Sequence, residues 1–283
     1  MILIAGASGQ LGAALREAAS LRGIPFAAMD RDALDIADPE EIARVCDPKL
    51  FDCIVNAAAY TAVDAAEDHP AEAYVANAFG PWRLAMSGIP LLHVSTDYVF
   101  DGRAREPYGE DAPARPVSVY GLSKRAGETA LLEGGFRGAV VRTAWVYSLR
   151  EGTKNFCRTI RRLAHEREEI SVVADQRGAP TLAEDLADAL LALYLKGEHL
   201  KPMHLLHFTN AGSTTWHGFA ERIVELEGAR CRVKPISTSE YPARAPRPAF
   251  SVLSLERIRA LGIEPRSWEE ALEDAFQRLK THS

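Results

Sequence analysis

Ile2-Leu-Ile-Ala-Gly6-Ala-Ser-Gly9-Gln-Leu-Gly12 sets four apolar residues directly ahead of a GxxGxxG turn. From Gln10 to Arg22, Leu11, Ala14, Leu15 and Ala18 recur on one helical face, so the stretch reads strand, tight turn, helix. Glycine lets the backbone turn sharply and lets a pyrophosphate approach the amides, while a helix N-terminus offers free N–H groups to an anion. Three glycines in a turn are often only a turn; the strand before them and the helix after them make this one a dinucleotide-binding turn. Gly23 and Pro25 stop the helix, and the apolar run from Ile24 to Met29 closes a βαβ unit at Asp30.

The alternation continues with helices over Pro39–Cys46, Ala71–Met86 and Val117–Leu132, and strands over Cys53–Asn56, Leu91–Ser95 and Ala139–Thr143. Apolar strands alternating with amphipathic helices predict an α/β fold, a Rossmann-type doubly wound parallel sheet covered on both faces. After Val146 the rhythm loosens. A helix from Asn155 to Arg167, a short strand at Ile170–Val173 and a helix over Ala183–Leu195 precede a stretch from Pro235 to Pro248 that reads as loop. We therefore expect an NAD(P)-binding domain over residues 1–146 and a small substrate-binding lobe over 147–283, with segments at about 170–196 returning to the sheet.

A chain of 283 residues, 47% hydrophobic and 25% charged, has the composition of an ordinary globular protein. Its net charge of −6 creates no basic field to gather a nucleic acid polymer or an anionic membrane, so an anionic ligand must be held by local donors. The four cysteines form no CxxC pair or metal-ligand spacing. Neither an apolar run of about 18 residues nor a leader-like N-terminus is present, which makes the cytoplasm the expected compartment.

Tyr120-Gly-Leu-Ser-Lys124 places a phenol and an ammonium one helical turn apart on the same face. An isolated tyrosine has a pKa of roughly 10; a neighbouring cation favours phenolate, and moving the group by about three pH units takes about 4 kcal/mol. Such a tyrosine would serve as a general acid towards a carbonyl oxygen. A surface Tyr/Lys pair is the plainer reading of YxxxK alone. Here Gly121 and Gly127 interrupt the same helix, each at about 1 kcal/mol against alanine, which points to something packing closely on it. Ser95-Thr96-Asp97 ends the fourth strand at the edge that opens on a cofactor crevice, and spacing alone does not choose between the two hydroxyls. Asp30 can accept from an adenosine ribose and Arg31 can meet a 2′-phosphate, or both can belong to a solvated Asp-Arg-Asp loop; the expectation leans to NADPH, with NADH also usable.

These residues, with Asn56-Ala-Ala-Ala-Tyr-Thr-Ala-Val-Asp-Ala-Ala-Glu67, Ser95-Thr-Asp-Tyr-Val-Phe-Asp-Gly102, Arg142-Thr-Ala-Trp-Val-Tyr147, Asp175-Gln-Arg-Gly-Ala-Pro-Thr181, Arg247-Pro-Ala-Phe-Ser-Val-Leu253 and Trp268-Glu-Glu-Ala-Leu272, resemble the dTDP-4-dehydrorhamnose reductase family of extended short-chain dehydrogenases over nearly the whole chain. The resemblance implies reduction, by NADPH or NADH, of the C4 ketone of a nucleotide-linked sugar, dTDP-4-dehydro-L-rhamnose. It implies Tyr120, Lys124 and Thr96 as the catalytic set. Gly6, Gly9, Gln10, Leu11, Gly12, Asp30, Arg31, Asp35, Ile36, Ala59, Tyr60, Thr61, Tyr120 and Lys124 would hold the cofactor; Thr96, Asp97, Trp145 and Arg247 would hold the substrate. Trp145 also reads as a core tryptophan and Arg247 as a solvated arginine. Some relatives bind magnesium through glutamates at a dimer contact; the corresponding position here is Ala14, with Glu17 elsewhere on the turn, so no metal is expected. A homodimer stays open. Rival readings are a nucleotide-sugar 4-epimerase and a non-catalytic regulatory subunit of a synthetase; Tyr98 after Asp97 disfavours the Asp-Glu pair of a dehydratase.

Overall fold

A computed structural model describes residues 1–282. The opening stretch folds as read: β1 (Ile2–Ala5) leads through the glycine turn into α1 (Gln10–Leu21), whose Leu11, Ala14, Leu15 and Ala18 are all buried. Then follow β2 (Phe26–Met29), α2 (Pro39–Val45), β3 (Cys53–Asn56) and α3 (Val63–Ala66). The helix expected over Ala71–Met86 is α4 (Pro70–Tyr74), a π-helical stretch at Val75–Phe79 and α5 (Gly80–Met86). β4 (Leu91–Thr96), α6 (Val119–Glu133) and β5 (Gly138–Thr143) complete this half.

β1 to β5 lie in one parallel sheet, in the order β5-β4-β3-β1-β2. Chain order reverses between β1 and β3, so the turns leaving those two strands diverge and leave a crevice at the carboxyl edge. The strand ends that carry Gly6, Asn56, Thr96 and Thr143 all open on it.

Beyond β5 come β6 (Val146–Tyr147), α7 (Phe156–Glu166), β7 (Glu169–Val173), β8 (Arg177–Gly178), β9 (Thr181–Leu182), α8 (Ala183–Leu195), β10 (His204–His207), β11 (Thr214–Thr215), α9 (Trp216–Glu227), β12 (Arg232–Ile236), α10 (Glu256–Ala260) and α11 (Trp268–His282). Here the expectations need correction. The strand at residues 169–173 does not return to the main sheet; it pairs with β12, which also takes Pro235 out of the expected loop. The sixth strand of the sheet is β10, parallel to β5 and outside the segment 170–196. Only the helical part of that segment, α8, packs on the sheet, its Leu186, Leu190 and Leu193 sharing one core with Leu11 and Leu15 of α1. α7, α9 and α11 build a second core around Phe219, Trp268 and Leu272.

Two glycines explain why the turn after β1 has this sequence. Gly6 has a φ of +80°, and a Cβ there would lie 2.6 Å from the Ala58 amide nitrogen; a Cβ at Gly12 would overlap the Gly6 carbonyl oxygen. The glycines hold α1 against the sheet. None of the described helices is long and apolar enough to cross a membrane.

Candidate active site

A cleft of about 1520 Å³ runs along the carboxyl edge, larger than the few hundred to about 1,000 Å³ of a typical single small-molecule site. Gly6, Gly9, Gln10, Leu11, Arg31, Asp35, Ile36, Ala59, Tyr60, Thr61, Thr96, Asp97, Tyr120, Lys124 and Trp145 all line it. Gly12 and Asp30 do not. Gly12 faces the glycine turn, and the Asp30 carboxylate accepts from the Ala33 amide at 3.1 Å while its side chain stays exposed. Arg31 reaches the wall with its side chain 84% exposed and a 3.3 Å bond to Asp35, free to meet a further anion.

The turn suits a dinucleotide on a further ground. Gly9 caps α1 without a side chain, so no side-chain cap bond closes the first turn of this 12-residue helix among the described residues. The positive end of its dipole therefore faces the cleft. Gln10 is fixed by donating to the Val146 carbonyl at 3.0 Å and accepting from Asn155 at 3.2 Å.

Helix α6 starts where Ser118 accepts from the Gly121 amide, and it turns Tyr120 and Lys124 inward together. Both are buried, at 8% and 2% exposure. The two glycines do what their cost suggested: a Cβ at Gly121 would overlap the Tyr98 carbonyl oxygen, and one at Gly127 the Asn77 carbonyl oxygen. Asn77 sits in the π-helical stretch, where its side chain accepts from the Tyr60 amide at 2.8 Å and donates to Ser123 at 3.0 Å. One side chain thus ties the Tyr60 side of the cleft to α6.

The electrostatics differ from the expectation in one respect. Burial pushes the Tyr120 phenol upward, a hydrogen bond with Thr96 pulls it back, and the Asp97 charge adds to the rise; Lys124 is not among the groups that set it. The Lys124 ammonium instead donates to the Val94 carbonyl at 2.7 Å, and desolvation lowers its own pKa to about 8 against an opposing pull from Glu128. Burial wins here because removing a charge from water outweighs one neighbour not aimed at the phenol. Asp97, 2% exposed, is raised to about 6 by desolvation, although Ser251 and Thr96 bond to it; its Oδ2 has no hydrogen-bond partner among the described residues.

Trp145 lines the cleft with a φ of +48°, an uncommon strain for a bulky residue and one that clusters at functional sites. Its ring stacks on Trp216 at 3.6 Å, and Gly178 packs so closely that a Cβ there would lie 2.6 Å from the indole. Trp145 is half-buried, packed on one side by protein and lining the cleft.

A family model described as the RmlD substrate binding domain matches residues 1–281. The chain belongs to that family. Among its relatives, the dTDP-4-dehydrorhamnose reductase of Burkholderia thailandensis is 44% identical, the alignment covering 96% of either chain. A probable dTDP-4,6-dihydroxy-2-methyloxan-3-one 4-ketoreductase of Streptomyces antibioticus is 43% identical over 97% of this chain and 94% of its own. The solved dTDP-4-dehydrorhamnose reductase of Bacillus anthracis, in complex with NADP, superposes with a TM-score of 0.90 at 38% identity over 98% of both chains.

In this RmlD-family chain Arg247 is not on the cleft wall, contrary to the expectation. It pairs with Asp64 at 2.8 Å, and Arg244 pairs with Asp68, so the loop between Tyr241 and Pro248 is strapped to α3 and the turn that follows it. Arg247 also bonds to Tyr98, which lines the cleft, so it sits one side chain behind the wall. Glu17 pairs with Arg150. Sequence reasoning missed Asn77, Trp216, Arg150 and Lys154 at or beside the cleft, and His93 behind it. Only His93 carried a signal, as a polar residue inside the apolar run Leu91-Leu-His-Val.

Proposed function

We propose that the chain is an NADPH-dependent reductase of a nucleotide-linked 4-keto sugar and that it converts dTDP-4-dehydro-L-rhamnose to dTDP-L-rhamnose. One observation carries the reading: a buried tyrosine, lysine and threonine converge on a cleft that also receives an uncapped helix N-terminus. Bound NADPH supplies a hydride to C4. Tyr120, kept protonated by burial, donates its phenolic proton to the oxygen that becomes the C4 hydroxyl. Thr96, bonded to Asp97 at 3.1 Å and to the Tyr98 amide at 3.2 Å, is held where its hydroxyl orients that oxygen. Lys124 holds the nicotinamide ribose and Arg31 the 2′-phosphate, while Trp145, with Trp216 behind it, packs on the sugar or base.

The relatives' names support a 4-keto group as the common element, with the rest of the sugar varying between them. The substrate is the one partner this reading requires, and the four free, buried thiols accord with the reducing cytoplasm as the place of work. The test is NADPH oxidation by purified protein against dTDP-, GDP- and UDP-linked 4-keto sugars, with the C4 configuration of the product determined. Stoichiometric oxidation with the dTDP-linked substrate is expected; sugar isomerisation without cofactor consumption, or no turnover of any of them, overturns the reading.

A further inference from the structure

Behind the cleft lies a short chain of polar groups that no step above uses. His93, in the middle of β4, is fully buried, yet both of its ring nitrogens have polar neighbours. Asn56 at the end of β3 lies 3.1 Å from Nδ1 through its Nδ2, and Lys124 Nζ lies 3.3 Å from Nε2. The orientation of the Asn56 amide is fixed independently, because its Oδ1 accepts from the Ala58 amide at 3.0 Å. The NH₂ group therefore faces His93, and Nδ1 must accept. A neutral imidazole carries one proton, so that proton sits on Nε2 and points at the lysine nitrogen.

We propose that His93 is a positioning residue for Lys124: held by Asn56 as the Nε2–H tautomer, it presents a donor to Nζ and so favours the neutral amine over the ammonium. The amine accepts from Nε2–H while still donating to the Val94 carbonyl. The ammonium has no lone pair, and its proton and that of the imidazole face each other at 3.3 Å. Relief of that opposition requires the other tautomer and a rotated Asn56 amide, which abandons the Ala58 amide, and Ala58 lines the cleft. The charge of the catalytic lysine is thereby coupled to the cleft wall beyond β3.

The other groups around Lys124 leave His93 this influence. Glu128, one turn further along α6, favours the ammonium, but Arg142 of β5 holds both its oxygens, and Ser95 of β4 and Arg125 also bond to it. Tyr120 on α6 and Asp97 beyond β4 engage Thr96 instead. Desolvation and the nearby lysine together hold His93 well below the ordinary histidine value, so the ring stays neutral and cannot answer the lysine with a charge of its own.

The tautomer stands apart from any assignment of activity; only its consequence for cofactor binding rests on the reductase reading. Long-range ¹H–¹⁵N spectra of the full chain labelled at histidine, with the His93 signals identified by their loss in His93→Gln, should show Nδ1 unprotonated and Nε2 protonated. The ring should stay neutral well below the pH at which an ordinary histidine titrates. A proton on Nδ1, or a ring that titrates near the ordinary histidine pKa, overturns the proposal. NADPH binding, followed by fluorescence without any sugar, gives the second readout. Native binding should weaken as pH rises through about 8. Asn56→Asp keeps the oxygen that serves Ala58 but turns a second oxygen to Nδ1, which moves the proton there and frees Nε2 to accept from the ammonium. Its alkaline midpoint should rise by about one pH unit, leaving binding about tenfold tighter than native at the alkaline end. Identical midpoints in native and variant protein overturn the proposal. A protein that behaves as expected in both measurements yet reduces no 4-keto sugar sinks the reductase reading alone.

Discussion

Helix α6 lines the cleft, the loop from Tyr241 to Pro248 reaches it only through Arg247 behind Tyr98, and the two are held by opposite means. α6 is seated by backbone against backbone, with Gly121 on the Tyr98 carbonyl and Gly127 on the Asn77 carbonyl. The loop is strapped by side-chain charges: Arg244 to Asp68, Arg247 to Asp64, with both ends of the first pair largely exposed. Close packing admits no adjustment, whereas partly solvated ion pairs exchange partners at little cost. The contrast places rigid packing under Tyr120 and leaves compliance in the loop from Tyr241 to Pro248.

The comparison can be broken most severely at the donor itself. Tyr120→Phe keeps the packing of the ring and removes the proton, so kcat should fall by about 10³ while NADPH binding, followed by fluorescence, stays near native. If turnover survives in the folded variant, α6 does not carry the reacting group. Gly127→Ala attacks the seating instead. Its methyl group has backbone of Asn77 and Ala78 to displace, and a destabilisation of about 3 kcal/mol is expected in urea unfolding; a neutral result shows that the helix has slack.

Asp97 tests the buried polar edge between the two regions. Its folded pKa of about 6 lies above the ordinary 3.8, so the folded state holds the proton more tightly than the unfolded state does. Stability from this residue is therefore greatest in acid and is lost as pH rises towards and through 6. Asp97→Asn does not titrate, and relative to native it should gain about 2 kcal/mol between about pH 4 and about pH 8; parallel stability curves would show the carboxyl to be solvated. The smallest change is expected at the strap. Arg247→Ala should cost less than about 1 kcal/mol of stability, in line with a partly exposed ion pair, and should raise KM for the sugar more than it lowers kcat. A kcat loss as large as that of Tyr120→Phe would place the loop in the chemistry.

Much of the cleft was legible because its signals are local. The glycine turn, the apolar face of α1 and the pairing of Tyr120 with Lys124 each lie within about four turns of helix, where periodicity alone sets which groups share a face. Even the cost of Gly121 and Gly127 pointed to a close neighbour, although it could not name the carbonyls that fill the space. β10 escaped because His204-Leu-Leu-His207 is too short to show a period, and β7 was assigned to the sheet because nothing in Glu169–Val173 distinguishes a strand of one sheet from a strand of another.

The sequence by itself determined the doubly wound sheet, the glycine turn and the placing of Tyr120 and Lys124 on one face of α6, since these follow from the spacing of glycine, apolar and polar residues along short stretches. Only the tertiary structure decided that Arg247 answers Asp64, that Trp145 rests on Trp216, and that His93 faces Lys124. Those partners stand far apart along the chain, and electrostatics and desolvation act through distance in space. A side chain's charge and pKa therefore belong to the neighbours that folding gives it, and no local pattern records them.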